Sequence, residues 1–301
     1  MEMKLIDRIE ELKRGRNAVI LVHNYQPGEI QDIADYVGDS LELSRLAAAT
    51  DAAVVVFCGV HFMAETAFIL SPEKIVILPD LKAGCPLADT ITVVALKEKR
   101  REHPDAKVVC YVNSSAAVKA ESDVCCTSAN AVRIVESLDG EKVIFVPDRN
   151  LGAYVSSRVD KEVILWDGTC PIHDENVSLE QVTKLKREHP EARFIAHPEC
   201  RLEILRLADE VCGTSGMVRY ARESVAGEII VGTEAGIVYR LKKENPGKTF
   251  YPIETAVCPD MKLITLEKIA RSMETLEPRV VVPEDVRLGA EEAVKRMVEL
   301  V

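Results

Sequence analysis

The sequence has no apolar run long enough to cross a membrane. Its longest, from Ala52 to Val60, is less than half of the roughly 20 residues a spanning helix requires. The opening stretch MEMKLIDRIEELKRGRN lacks the apolar core of a secretory signal and mixes charges at helical spacing. A cytoplasmic address is expected, with no membrane partner. Positive charge is scarce too: 38 Lys and Arg stand against 49 Asp and Glu, a formal net charge of −11. Phosphate backbones bind basic surfaces, so nucleic acid is not an expected partner. The nine cysteines include no CxxC pair. An odd number in a reducing compartment argues against a disulfide framework, leaving buried small hydrophobes, metal ligands or a nucleophile.

What is present is the composition of an ordinary globular protein, 47% hydrophobic and 29% charged. At 301 residues it exceeds a single core and suggests two or three domains. The chain repeats itself. REHPDAK at 101–107 returns as REHPEAR at 187–193, 86 positions later. At that offset Asp123 meets Asp209, Cys126 meets Cys212 and Ser128 meets Thr214. At an offset of 88, NAVILVHNY from Asn17 lies over DAKVVCYVN from Asp105, Asp35 over Asp123 and Ser40 over Ser128. Three copies begin near Lys4, Asp89 and Ser178. A period this long is a repeated domain, since solenoid repeats run to about 20–50 residues.

Each copy reads as helix, apolar strand, helix, a very short strand, helix, strand, helix, strand. The first strands are AVILVH, AKVVCYV and ARFIAH, and the short ones lie in DYVG, DVCC and DEVCG. Unbroken apolar strands alternating with helices imply parallel sheets covered on both faces. The expected fold is α/β: three homologous three-layer α/β/α domains with small parallel sheets, set with pseudo-threefold symmetry around a central active site. The expected divisions are 1–88, 89–174, 175–265, and a helical segment 266–301 packing back on the body.

The overlay puts candidate functional residues in register. The first strands end in His23, Tyr111 and His197, with Tyr25, Asn113 and Glu199 two residues on. A helix is expected to start at each of Ser40, Ser128 and Thr214. In open parallel sheets, ligands bind beyond the carboxyl ends of the strands, where a hydroxyl can cap a helix and leave backbone N–H groups for an anion. One such residue would be a plain N-cap; three in register favour a shared pocket. Cys85, Cys170 and Cys258 each follow the last strand of their copy in a loop, each with Pro next: KAGCPLAD, WDGTCPIH, TAVCPDMK. About a threefold axis they would converge. Cys58, Cys110, Cys125, Cys126 and Cys212, in or beside strands, and Cys200, placed on a helix after Glu199, read as buried hydrophobes. Three thiolates are a zinc site short of one ligand, or the ligands of an iron–sulfur cubane with one iron open. His173, three residues past Cys170, reads as a ligand or as a loop histidine making a hydrogen bond.

Taken together, VHNYQ at 22–26, GDS at 38–40, YVNSSA at 111–116, CTSANA at 126–131, WDGTCPIH at 166–173, HPEC at 197–200, GTSGM at 213–217 and CPDMKLITL at 258–266 resemble the quinolinate synthase family along the whole chain. The resemblance implies a [4Fe–4S] cluster held by Cys85, Cys170 and Cys258. It implies substrate binding by His23, Ser40, Tyr111, Val112, Asn113, Ser128, His197, Pro198, Glu199 and Thr214. The implied reaction condenses iminoaspartate with dihydroxyacetone phosphate, with loss of phosphate and water, and the enzyme that makes iminoaspartate is the implied functional partner. Glu199 is the expected base, its pKa raised by enclosure; Tyr25 and Tyr111 are expected proton donors, and His23 and His197 orient phosphate or carboxylate. The GCPLAD loop departs from a Ser-Met type continuation beside Cys85. A diphthamide-synthesis-type protein, also three-domain and three-cysteine, and a zinc-stabilised binding module are the alternatives.

Overall fold

In a computed structural model of the chain, describing residues 2–299, twelve strands form three separate four-stranded sheets. The first holds β1 (Ala18–His23), β2 (Tyr36–Gly38), β3 (Val54–Cys58) and β4 (Ile75–Ile77). The second holds β5 (Lys107–Tyr111), β6 (Val124–Cys126), β7 (Lys142–Val146) and β8 (Glu162–Leu165). The third holds β9 (Arg193–Ala196), β10 (Glu210–Val211), β11 (Glu228–Gly232) and β12 (Thr249–Pro252). Every pairing is parallel, and the spatial orders β2-β1-β3-β4, β6-β5-β7-β8 and β10-β9-β11-β12 are one topology written three times. Helices flank each sheet, as a parallel sheet apolar on both faces requires.

The repeated aspartate has a structural reason. Asp35, Asp123 and Asp209 precede the short strands, and each accepts at 2.8 Å the backbone N–H of Ile20, Val108 or Phe194 in the adjacent first strand. Each donates its own N–H back to the same residue's carbonyl. The short strands are two or three residues long, so this two-way clip sets their register where the ladder is too brief to do so alone.

The final segment divides its packing. Helix Leu266–Thr275 lies on helix Glu2–Arg16, while helix Glu284–Glu299 straddles the first two units, touching β6 and helices His61–Leu70 and Ala116–Ala120. Ala290, Ala293, Val294 and Met297 form its buried stripe. Leu300 and Val301, the last residues of the expected segment, lie outside the described residues. The third unit meets the first through polar contacts: Tyr239 donates to Asp32 at 2.5 Å, and Arg240 to Asn24 Oδ1 and the Val37 carbonyl, each at 2.8 Å. Gly28 permits this approach, because a Cβ there would sit 2.5 Å from the Tyr239 ring.

Candidate active site

In each sheet the chain leaves the first strand toward one neighbour and returns to the other, so the switch point lies between the first and third strands, at their carboxyl ends. All three switch points open on one cavity of about 310 Å³. Thirteen of the fifteen site candidates named above line it: His23, Tyr25, Ser40, Cys85, Tyr111, Asn113, Ser128, Cys170, His173, His197, Glu199, Thr214 and Cys258. Val112 and Pro198 do not; both are buried, and Val112 spends its N–H on the Cys126 carbonyl.

The hydroxyls are not N-caps. Asp39 caps helix Ser40–Ala49, accepting from Leu41 and Glu42, and Gly213 occupies the cap position of helix Thr214–Glu223 without any side-chain cap bond. Ser128 lies in a turn, and its helix begins later, at Ala131, because the Asn130 side chain folds back onto Thr127. The three hydroxyls thus face the cavity without a capping duty. Asn24 Nδ2 donates to Thr214 at 2.8 Å and fixes that side chain.

The His-x-Tyr and His-x-Glu motifs close alike: His23 Nδ1 accepts the Tyr25 N–H at 3.2 Å, and His197 Nδ1 the Glu199 N–H at 3.4 Å. Burial, with the His197 and Lys262 charges, pushes His23 down to about 3, and burial lowers His197 as well. Neutral imidazoles accepting at Nδ1 carry their proton on Nε2.

Glu199 is 2% exposed. Its Oε2 lies 2.6 Å from His173 Nδ1 and 3.4 Å from His197 Nδ1, and Asn113 donates to Oε1 at 3.4 Å. Burial alone would raise this carboxyl, but His173, 2.6 Å away, holds it well below the ordinary carboxylate range. The expected upward shift is therefore reversed, by a partner that sequence does not place. His173 Nε2 lies 2.8 Å from the Thr233 hydroxyl, which lies 2.6 Å from the Tyr25 hydroxyl. Tyr25, Thr233, His173 and Glu199 form one unbroken hydrogen-bonded file, all nine-tenths or more buried. Burial and the Glu199 charge keep Tyr25 and Tyr111 protonated.

The three loop thiols line the same cavity, and the charge of one would raise the pKa of the next: Cys258 acts on Cys85, and Cys85 on Cys170. Burial pushes Cys85 up to about 12 and raises Cys170 and Cys258. Such thiols give up protons to a metal, not to water. Cys170 Sγ, a His173 nitrogen and a Glu199 oxygen also lie within 4.8 Å of one another. His173 and Glu199 already bond each other, so the donors left over are three thiols, from three units, with no fourth cysteine among the described residues on the cavity wall. That set fits a cluster held by three cysteines. The other six are buried or half-buried away from the cavity, and Cys200 stands in a turn before helix Leu202–Leu205, not on it.

Thr233, Glu234, Asp148 and Asn24 were not singled out from sequence. Sliding the copies further would have offered a signal for two of them, since Asp148 and Glu234 are 86 positions apart and each stands two residues past a third strand.

Residues 7–299 match the family profile NadA, described as quinolinate synthetase A protein. Quinolinate synthase 1 of Methanosarcina acetivorans is 57% identical over 294 residues, covering 97% of this chain and 96% of its own. Quinolinate synthase of Dehalococcoides mccartyi is 57% identical over 295 residues, 98% of this chain and 97% of its own. That of Thermodesulfovibrio yellowstonii is 52% identical over 303 residues, spanning the whole of both chains. Matches along the full length turn the comparison away from a diphthamide-synthesis-type protein. Among the described residues no helix is long and apolar enough to cross a membrane.

Proposed function

The chain belongs to the quinolinate synthase family, and from that premise we propose that it condenses iminoaspartate with dihydroxyacetone phosphate to quinolinate, losing phosphate and water. One observation carries the reading: equivalent strand ends of three repeated units bring three thiols, three hydroxyls and a carboxylate–histidine pair to one cavity. In this reading 1–88, 89–174 and 175–265 are the three units, and Cys85, Cys170 and Cys258 hold a [4Fe–4S] cluster. When bound, the cluster supplies a Lewis-acid iron that assists loss of a hydroxyl.

Both substrates are anions in an acidic protein, so their binding is local. The uncapped N-terminus of helix Thr214–Glu223 offers free backbone N–H groups and the positive end of a ten-residue dipole. Ser40, Ser128 and Thr214 add hydroxyls, and neutral His23 and His197 donate from Nε2 to a phosphate or carboxylate oxygen. Glu199, ionised and held by His173, accepts a substrate proton. At rest His173 Nδ1–H donates to Glu199, and Thr233 donates to His173 Nε2 and accepts from Tyr25, which faces the cavity. Once Tyr25 has given its proton to the substrate, the file reverses its hydrogen bonds and returns the proton taken by Glu199 to Tyr25. Abstraction at one wall and delivery at another are what condensation followed by tautomerisation requires. The enzyme that makes iminoaspartate is the functional partner in this reading.

Anaerobic assay of quinolinate formation tests the proposal directly. Glu199→Gln keeps the size of the side chain and removes the base, so turnover should fall at least about 100-fold while iron content and substrate affinity persist. An iron-loaded protein that makes no quinolinate would refute the activity, and a colourless zinc protein would refute the cluster.

A further inference from the structure

Two buried carboxylates stand at equivalent places outside the chemistry described so far. Asp148 lies two residues past β7 and Glu234 two past β11; both are 0% exposed. Glu234 uses both oxygens. Oε1 accepts the Cys258 N–H at 3.1 Å, and Oε2 accepts the Gly236 N–H at 2.7 Å. Lys262 Nζ lies 2.9 Å from Oε1 and also donates to the Tyr25 carbonyl. Asp148 does not repeat the pattern: its Oδ1 takes the Leu151 N–H at 2.6 Å as the N-cap of helix Arg149–Ser156, and its buried Oδ2 has no hydrogen-bond partner. The first unit has Val60 at this place. There the neighbouring His61 N–H is bonded to the Ala83 carbonyl at 2.8 Å, and Asp260 reaches across from the Cys258 loop to the Gly84 N–H at 3.2 Å.

We infer that Glu234 is a positioning residue that clamps the Cys258 loop in the conformation that presents its thiol to the metal. Glu234 also ties that loop, through Lys262, to the Tyr25 backbone of the substrate wall. A carboxylate is needed because two N–H groups arrive on two different oxygens; an amide has one acceptor oxygen and would turn its NH₂ toward the second donor. A loop released from its clamp keeps its cysteine but holds it less often in the ligating pose, so the metal leaves sooner. The inference rests on the three-cysteine cluster proposed above.

The test strips iron from the anaerobically reconstituted protein with a ferrous-iron chelator and follows the rate. Glu234→Gln should lose iron at least about tenfold faster than the unaltered protein, by the usual effect of outer-shell partners on metal retention. Glu234→Gln also leaves the Lys262 ammonium without its partner, which by itself destabilises. The double variant Glu234→Gln/Lys262→Met removes that charge. It should regain thermal stability yet still release iron quickly. A double variant that holds iron as long as the unaltered protein would reduce Glu234 to a counter-charge and overturn the clamp. An unaltered protein that takes up no cluster would overturn the three-cysteine reading, and the clamp with it.

Discussion

Replacing Thr233 by Val tests the buried hydrogen-bonded file at its least replaceable link. The two side chains have nearly the same shape, so the change removes one hydroxyl from a site that is 0% exposed. Two contacts are lost, 2.6 Å to the Tyr25 hydroxyl and 2.8 Å to His173 Nε2. Tyr25 lies on the cavity wall and can turn to water there, whereas His173 is 2% exposed and its Nε2 would be left bare. The stability cost is therefore that of one buried unsatisfied group, about 1–3 kcal/mol, read as a lowered midpoint in thermal denaturation. The catalytic cost is separate. With the file cut, the proton Glu199 takes cannot be returned to Tyr25, and kcat should drop by roughly 10²-fold, at the low end of acid–base contributions. KM should change little, because Thr233 is not on the cavity wall. Thr233→Ser restores the hydroxyl and should recover kcat to within a few-fold. Steady-state quinolinate formation under anaerobic conditions gives both constants. A Val variant with kcat within a few-fold of the parent would remove the file from the proton path, whatever its stability.

Cys85→Ala, Cys170→Ala and Cys258→Ala should each abolish a stable cluster after anaerobic reconstitution, while Ala at Cys58, Cys110, Cys125, Cys126, Cys200 or Cys212 should leave iron per chain unchanged; full iron in any of the first three would sink the assignment. Asp209→Ala should destabilise the protein by about 1–3 kcal/mol, because it bares the Phe194 N–H at the start of β9. Asp209 also carries a pH dependence. Burial opposes its ionisation, but the Phe194 N–H and Arg193 hold its carboxyl below the ordinary value of 3.8. Its contribution is then full above pH ~4 and lost as the pH falls further. Chemical denaturation of parent and Ala variant at pH 7 and pH 3 should show the gap between them shrinking at the lower pH; a constant gap would mean that the carboxylate charge contributes nothing.

Much was legible in the sequence because repetition acts as its own alignment. Apolar runs and their spacing located all twelve strands, and the offsets of 86 and 88 placed the three cysteines at matching loops, since backbone topology follows hydrophobic period and turn chemistry, both local properties. The cavity walls followed from that register, because equivalent strand ends face the same way in equivalent sheets. What the sequence left open depended on distances between residues far apart in the chain. Glu199 and His173 meet at 2.6 Å, and that contact reversed the direction in which burial alone would move the carboxyl. Thr233 joins Tyr25, more than two hundred positions away, and nothing local marks it out from any other threonine after a strand. Ser128 failed to open its helix because the Asn130 side chain claims the Thr127 N–H, a competition of three residues that the register overlay cannot see. Charge and hydrogen bonding act through space and in proportion to enclosure. Only the packing of the three units against one another creates that enclosure, so the acid–base partnerships were decided by the tertiary structure.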